Sequence, residues 1–194
     1  MSVTAPAGFR AAGVRAGLKA SGRPDLALVV NDGPLDVAAG VFTANRVVAA
    51  PVVWSRAAVA DGRARAVILN SGSANACTGA RGADDAAATA ERVAELLTAA
   101  DPQRPVRPDD VLVCSTGVIG EPLDMPALLA GASQAAGALA PTPGAGRDAA
   151  LAIMTTDTVP KEDAVSRTSA GAAWTVGGMI KGVGMLAPGL ATML

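Results

Sequence analysis

At 194 residues the chain can bury one sizeable core or two small ones, and because 51% of it is hydrophobic but only 2% aromatic, Ala, Val, Gly and Leu must fill that core. Small side chains bring backbones close together and favour tightly layered sheets and helices, an α/β class. A formal net charge of -1, with Lys and Arg scattered singly, leaves no electrostatic footprint for nucleic acid or an anionic membrane, and the longest apolar runs fall far short of the roughly 20 residues that span a bilayer.

The first ten residues, "MSVTAPAGFR", lack the apolar centre of a signal peptide, so a cytoplasmic protein is expected. Four short runs rich in β-branched residues and bounded by Gly, Pro, Asp or Asn read as strands: Leu26 to Val30, Ala50 to Trp54, Ala66 to Asn70 and Val111 to Cys114. Their near-continuous apolarity suggests strands covered on both faces. Between the last two, Ala86, Ala90, Val93, Leu97 and Ala100 fall at helical spacing, with Asp84 and Asp85 at the N-terminal end and Pro102 as a stop. A second helix has Asp124 as N-cap and Pro126 in its first turn, with Leu128, Leu129, Ala132, Ala136 and Leu139 on one side. "APTPGAG" (Ala140 to Gly146) reads as a surface loop, followed by a short helix over Arg147 to Met154.

Histidine is absent, which removes from this chain a Ser-His-Asp triad, a Cys-His dyad and any His-containing metal site; no metal is expected. Cys77 and Cys114, without a secretion signal, read as free thiols. Two strands end in small-residue turns, "ILNSGSANACTG" (Ile68 to Gly79) and "VCSTGVIG" (Val113 to Gly120). Ligands of α/β sheets sit beyond the carboxyl ends of strands, so both turns are candidate site walls. "GGMIKGVG" has the glycines of a phosphate loop but not the order Gly-Lys-Ser/Thr. Near the end of the chain, Thr192 follows Ala191 in an apolar, glycine-punctuated stretch. A threonine hydroxyl needs a base, and a chain without histidine can supply one if Thr192 becomes N-terminal and its own α-amine, with a reference pKa near ~8, takes the proton.

"KGVGMLAPGLATML" resembles the self-cleavage segment of the ornithine acetyltransferases (glutamate N-acetyltransferases) of arginine biosynthesis. "APAGFRAAGVRAGLK", "VFTANRV", "AAPVVW", "AVILNSGSANACTG", "CSTGVIG", "IMTTDTVPK" and "WTVGGMIKG" resemble family motifs in family order, from Ala5 to the last residue. The resemblance implies an αββα sandwich and a precursor that cleaves itself between Ala191 and Thr192. Residues 1–191 would then be an α chain and residues 192–194 the first three of a β chain. It implies an acetyl transfer from N-acetylornithine to glutamate through acetyl-Thr192. Thr116 and Gly117 would form the oxyanion hole, and Thr155, Lys181 and Thr192 would bind substrate. A lysine suits the carboxylate that both substrates carry.

The implied partner is the chain's own β chain, in an α2β2 or larger assembly, and no cofactor is implied; some members also take acetyl from acetyl-CoA as a substrate. The sequence departs from the family pattern at Ser73, where asparagine is expected, and at Gly189, where a more polar residue is expected. Two other readings stand beside this one. A related self-processing aminopeptidase would use serine as its new N-terminus, against Thr192, and a non-catalytic fragment would need the threonine-bearing chain to be absent from the native protein.

Overall fold

A computed structural model describes residues 2–183. Ala191, Thr192 and Gly189 lie outside the described residues. The elements run β1 (Phe9–Val14), β2 (Leu26–Asn31), α1 (Ala50–Ala58), β3 (Ala66–Ser73), α2 (Gly79–Ala100), β4 (Val111–Val118), α3 (Met125–Gly137), α4 (Pro143–Ala152), β5 (Lys161–Ser169) and β6 (Ala172–Ile180). The first four strands form one sheet in the order β1-β2-β3-β4, antiparallel across the first two pairings and parallel between β3 and β4. The class is mixed α/β, as composition indicates.

Alternation along the strands builds two cores. On one face Ala12, Leu28 and Ile68 pack with Val93 and Leu97 of α2 and Leu128 of α3. On the other, Ala11, Ala27 and Leu69 pack with Ala149, Ala152 and Ile153 at and just beyond α4, and Val29, Val67 and Cys114 remain only half-buried beside them. The small-residue composition acts directly here. A Cβ added at Gly13 of β1 would stand 2.0 Å from the Asp148 carbonyl oxygen, so glycine alone lets α4 lie this close to the sheet.

Both sheet edges are covered. Ala11 and Ala140 exchange backbone hydrogen bonds of 3.1 and 3.0 Å along the outside of β1. Along β4 the cover is α1. Ser55 Oγ donates to the Val113 carbonyl at 2.7 Å and accepts from the Val113 amide at 2.9 Å, while Trp54 Nε1 donates to the Val111 carbonyl at 3.0 Å. Helix side chains thus satisfy main-chain groups that an open edge would leave available for aggregation.

Strands over residues 26–30, 66–70 and 111–114 form as expected, and Asp124 caps α3 by accepting from the Ala127 amide at 3.1 Å. Ala50 to Trp54, expected as a strand, is instead the start of α1. Pro51 sits in its first turn, where proline is at home in a helix, and a five-residue apolar run carries no period that separates strand from buried helix. Helix α2 begins at Gly79, ahead of Asp84 and Asp85, so neither aspartate lies in its first turn.

Helix α4 likewise starts inside the expected loop. Thr142 is its N-cap, accepting from the Ala145 amide at 3.2 Å, and Pro143 opens its first turn. Strand β1 and the β5–β6 hairpin went unanticipated. The first has Ala11, Ala12 and Gly13 at its centre, residues with little strand preference. The second is mostly exposed and turns at Ala170–Gly171, both with positive φ (51 and 79), in place of the usual Asn-Gly or Asp-Gly.

At the pole where β2 ends and β3 begins, Asp32 binds Arg10 and Arg65, and Asp36 binds Arg63 at 3.2 Å and Arg104 at 2.5 Å. This network closes the end of the sheet away from the paired small-residue turns.

Ser55→Ala removes both bonds to Val113 at a buried position and leaves a main-chain donor and acceptor unpaired. It is expected to lower stability by about 1–3 kcal/mol, read as a fall in the denaturant midpoint at unchanged m-value.

Candidate functional site

Parallel pairing places the ends of β3 and β4 side by side: Asn70 opposite Ser115, Ser71 opposite Thr116, Gly72 opposite Gly117 and Ser73 opposite Val118. The two small-residue turns picked out as site walls therefore form one wall. Gly117 has φ 134, which an L side chain rarely adopts, and a Cβ there would lie 2.3 Å from the Gly72 carbonyl oxygen. Both conformation and space demand glycine at this position.

Beyond the strand ends the turns are tied together. The Ala74 amide donates to the Val118 carbonyl and the Gly120 amide to the Ala76 carbonyl, each at 2.8 Å. Asn75 (φ 46) is buried, donates through Nδ2 to the Gly82 carbonyl at 2.8 Å and accepts from Thr78 Oγ1 at 2.7 Å. Asparagine tolerates left-handed backbone because its short amide bonds locally, and here that conformation turns the chain into α2. Ser73, which replaces the expected asparagine, donates through Oγ to the Glu121 carbonyl at 2.9 Å and so joins the same pair of turns.

Three of the expected site residues converge. Lys181, just after β6, donates from Nζ to Thr116 Oγ1 at 3.1 Å and to Thr155 Oγ1 at 2.5 Å. Thr116 is buried, while Gly117 beside it is exposed. By strand alternation Thr116 and Ser71 share the sheet face that carries α4 and the half-buried Val67 and Cys114. Burial lowers the pKa of Lys181, with Lys161 adding to the fall and Asp157 opposing it. Cys114 on the same face is no nucleophile, because burial pushes its thiol up to about 11. Cys77 and Cys114 are both free.

Two side chains that the sequence did not single out hold this cluster. Asp157, whose carboxyl group is fully buried, accepts from the Thr155 amide at 3.2 Å, the Gly182 amide at 2.6 Å and Lys161 Nζ at 2.7 Å. It thereby fixes the distance between Thr155 and the residue that follows Lys181. Burial acts to raise its pKa, but the Lys161 ammonium and the two amides outweigh that and hold the carboxyl at about 2. Lys19, in the connection between β1 and β2, donates to the carbonyls of Ala152 and Met154 on the other side of Thr155. The turn-forming "TTD" is the one local signal for Asp157; Lys19 closes the motif "APAGFRAAGVRAGLK", which does not say what its side chain holds. Among the described residues no group of three or more His, Cys, Asp or Glu side chains could hold a metal ion.

The chemistry available is therefore a hydroxyl pair bridged by an ammonium, beside a glycine turn with exposed backbone and an apolar rim of Val118, Ile119 and Val183. Such a site can bind a carboxylate and meet developing negative charge with fixed donors.

Asp157 contributes stability at pH values above its unfolded pKa of 3.8, and that contribution disappears as pH falls through about 2. Asp157→Asn is expected to lose roughly 2 kcal/mol at neutral pH and to show a correspondingly shallower loss of stability between pH 4 and 2, measured by urea unfolding across that range.

The chain is 60% identical over 195 residues to the arginine biosynthesis bifunctional protein ArgJ of Bifidobacterium longum, covering 100% of this chain and 47% of that protein. It is 60% identical over 194 residues to the protein of that name from Thermobifida fusca, again covering 100% and 47%. The chain thus spans about half the length of the curated relatives it matches. A crystal structure of ornithine acetyltransferase complexed with ornithine, from Mycobacterium tuberculosis, superposes with TM-score 0.89 at 52% identity, covering 100% of this chain and 96% of that one. The arginine biosynthesis bifunctional protein of Bacillus halodurans superposes with TM-score 0.88 at 37% identity, covering 100% and 95%. With the model of the ArgJ family matching residues 10–194, the chain belongs to that family.

Proposed function

We propose that this chain is the α part of an ornithine acetyltransferase that moves an acetyl group from N-acetylornithine to glutamate in arginine biosynthesis, and that it works in the cytoplasm. The observation that carries the reading is the convergence of Lys181, Thr155 and Thr116 at the paired ends of β3 and β4, in a fold shared with a protein crystallised with ornithine. Half of the relatives' length lies beyond this chain, which supports a second chain completing the site. In this reading residues 1–191 are the α chain, and residues 192–194 begin a β chain whose own layers complete an αββα sandwich in an α2β2 or larger assembly. The half-buried Val29, Val67 and Cys114 lie on the face that such a layer would cover.

The chemistry follows from the side chains. Thr192 Oγ attacks the Ala191 carbonyl, and breaking the peptide bond frees the Thr192 α-amine and leaves Ala191 as an ester on Oγ, which water hydrolyses to the Ala191 carboxylate and the free Thr192 hydroxyl. That amine then serves as the base that a chain without histidine otherwise lacks. Thr192 next attacks the acetyl carbonyl of N-acetylornithine. The tetrahedral oxyanion is met by donors from Thr116 and Gly117, ornithine leaves as the amine, and glutamate takes the acetyl group from Thr192 in the reverse sense.

For Thr116 to donate to an oxyanion, its hydroxyl hydrogen must be free. The hydrogen bond from Lys181 supports this, because it occupies a lone pair of the Thr116 oxygen and leaves O–H pointing elsewhere. The Lys181 ammonium and Thr155 hydroxyl would hold the carboxylate common to both substrates. No cofactor enters, and acetyl-CoA would be a second acetyl donor rather than a bound group.

In full-length protein Thr192→Ala is expected to remain one uncut, inactive chain, while Thr192→Ser keeps part of both steps; intact-mass spectrometry records the cut. N-acetylornithine should add one acetyl group to the chain that begins at Thr192. An acetyl group found on another residue, or cleavage of the Thr192→Ala protein, would rule out the N-terminal nucleophile. Thr116→Ala removes one donor and should slow acetyl transfer by roughly two to three orders of magnitude, measured as kcat with saturating N-acetylornithine.

A further inference from the structure

The connection between β1 and β2 is anchored from within by Asp25, which is fully buried. Its carboxylate accepts from the amides of Ala16 at 2.6 Å, Gly17 at 3.1 Å and Lys19 at 3.0 Å. From this fixed loop the Lys19 side chain reaches a segment more than a hundred positions away. Its Nζ donates to the carbonyls of Pro24 at 2.8 Å, Ala152 at 3.3 Å and Met154 at 2.5 Å.

An ammonium has three N–H donors, and here each faces a main-chain carbonyl. Ala152 is the last residue of α4, whose C-terminal carbonyls carry the negative end of the helix dipole, and Met154 immediately precedes Thr155. Ser71 Oγ, on β3, also donates to the Ala152 carbonyl, at 2.5 Å, so the exit of α4 is held from the sheet and from the loop together.

We propose that Lys19 is a positioning residue for the substrate site: by holding the carbonyls of Ala152 and Met154 it sets where Thr155 Oγ1 stands against Lys181 and Thr116. The proposal rests on the acetyltransferase reading for its substrate, but its contacts stand on their own. The socket is costly for a cation. Burial is the main influence lowering the Lys19 pKa, to about 8, with Arg23 and Lys181 adding to the fall against Asp25 and Asp157. A lysine needed only for solubility would keep its head in water, whereas this one is drawn into a cage of three main-chain carbonyls.

The test uses full-length, self-cleaved protein and ornithine affinity by calorimetry beside acetyl-transfer kinetics, in wild type, Lys19→Met, Lys19→Ala and Lys19→Arg. Lys19→Met keeps the stem and loses all three donors. It is expected to weaken ornithine binding and raise KM for N-acetylornithine roughly ten- to hundredfold, because displacement of a positioning group by about 1 Å has effects of that order. Added methylammonium should restore much of the affinity in Lys19→Ala, whose socket is vacant, and none in Lys19→Met, whose stem fills it.

Affinity equal to wild type in Lys19→Met and Lys19→Ala overturns the proposal, as does a loss in Lys19→Ala that methylammonium does not touch, which would be a plain packing defect. If Lys19→Met does not fold, Lys19→Arg, which retains N–H donors on a bulkier head, carries the test with Lys19→Ala. Affinity of Lys19→Arg nearer to wild type than that of Lys19→Ala supports the socket, and the reverse order overturns it. Wild type that binds ornithine but transfers no acetyl group sinks the acetyltransferase reading alone, leaving the affinities to decide on Lys19.

Discussion

The parallel pairing of β3 with β4 is the constraint on which the rest of this structure depends. It aligns Ser71 with Thr116 and Gly72 with Gly117, so two turns 45 residues apart in the chain end at one height on one wall. Hydrogen bonds between the turns, from Ala74 to Val118 and from Gly120 to Ala76, continue the pairing past the strands. A parallel pair needs a long crossover, and α2 provides it, packed on the face opposite Thr116. The helix-covered face supplies rigidity and the other face carries the polar cluster. That division lets hydroxyl and ammonium groups be held in place without interrupting the main core.

Charge around the cluster is managed by burying carboxylates with main-chain amides rather than by surface ion pairing. Asp25 and Asp157 each gather two or more amides, and Asp157 also accepts from Lys161. Exposed salt bridges contribute little because water screens them, but a buried carboxylate bound by amides is fixed in direction. Lys181 and Lys19 turn their ammonium groups inward, onto threonine hydroxyls and main-chain carbonyls respectively.

The sheet is covered unevenly. Helices α1, α2 and α3 seal one face and one edge, whereas α4 and the base of the β5–β6 hairpin protect only part of the other face. Val176 and Trp174 on the hairpin and Val118 and Ile119 beside the site are substantially exposed. Exposed apolar surface of this kind is consistent with a chain that spans about half the length of its curated relatives.

By itself the sequence determined the class, the central strands, the α2 and α3 helices and the two small-residue turns at the strand ends. These are local properties: β-branched runs, helical spacing, an Asp cap and glycine at tight turns. Thr116, Gly117, Thr155 and Lys181 stand out only through motif resemblance, since singly each is an ordinary turn or surface residue.

Only the tertiary structure decided the rest. Ala50 to Trp54 became a helix because Ser55 and Trp54 satisfy the edge of β4, a reward that no local pattern encodes. Strand β1, with Ala-Ala-Gly at its centre, exists because Gly13 admits α4 and Ala11 pairs with Ala140. Lys19 and Asp157 gained their places from carbonyls and amides brought together across the fold. Main-chain groups look alike at every residue, so a sequence cannot announce which of them a side chain will hold; that is settled only when packing brings the segments within hydrogen-bond distance.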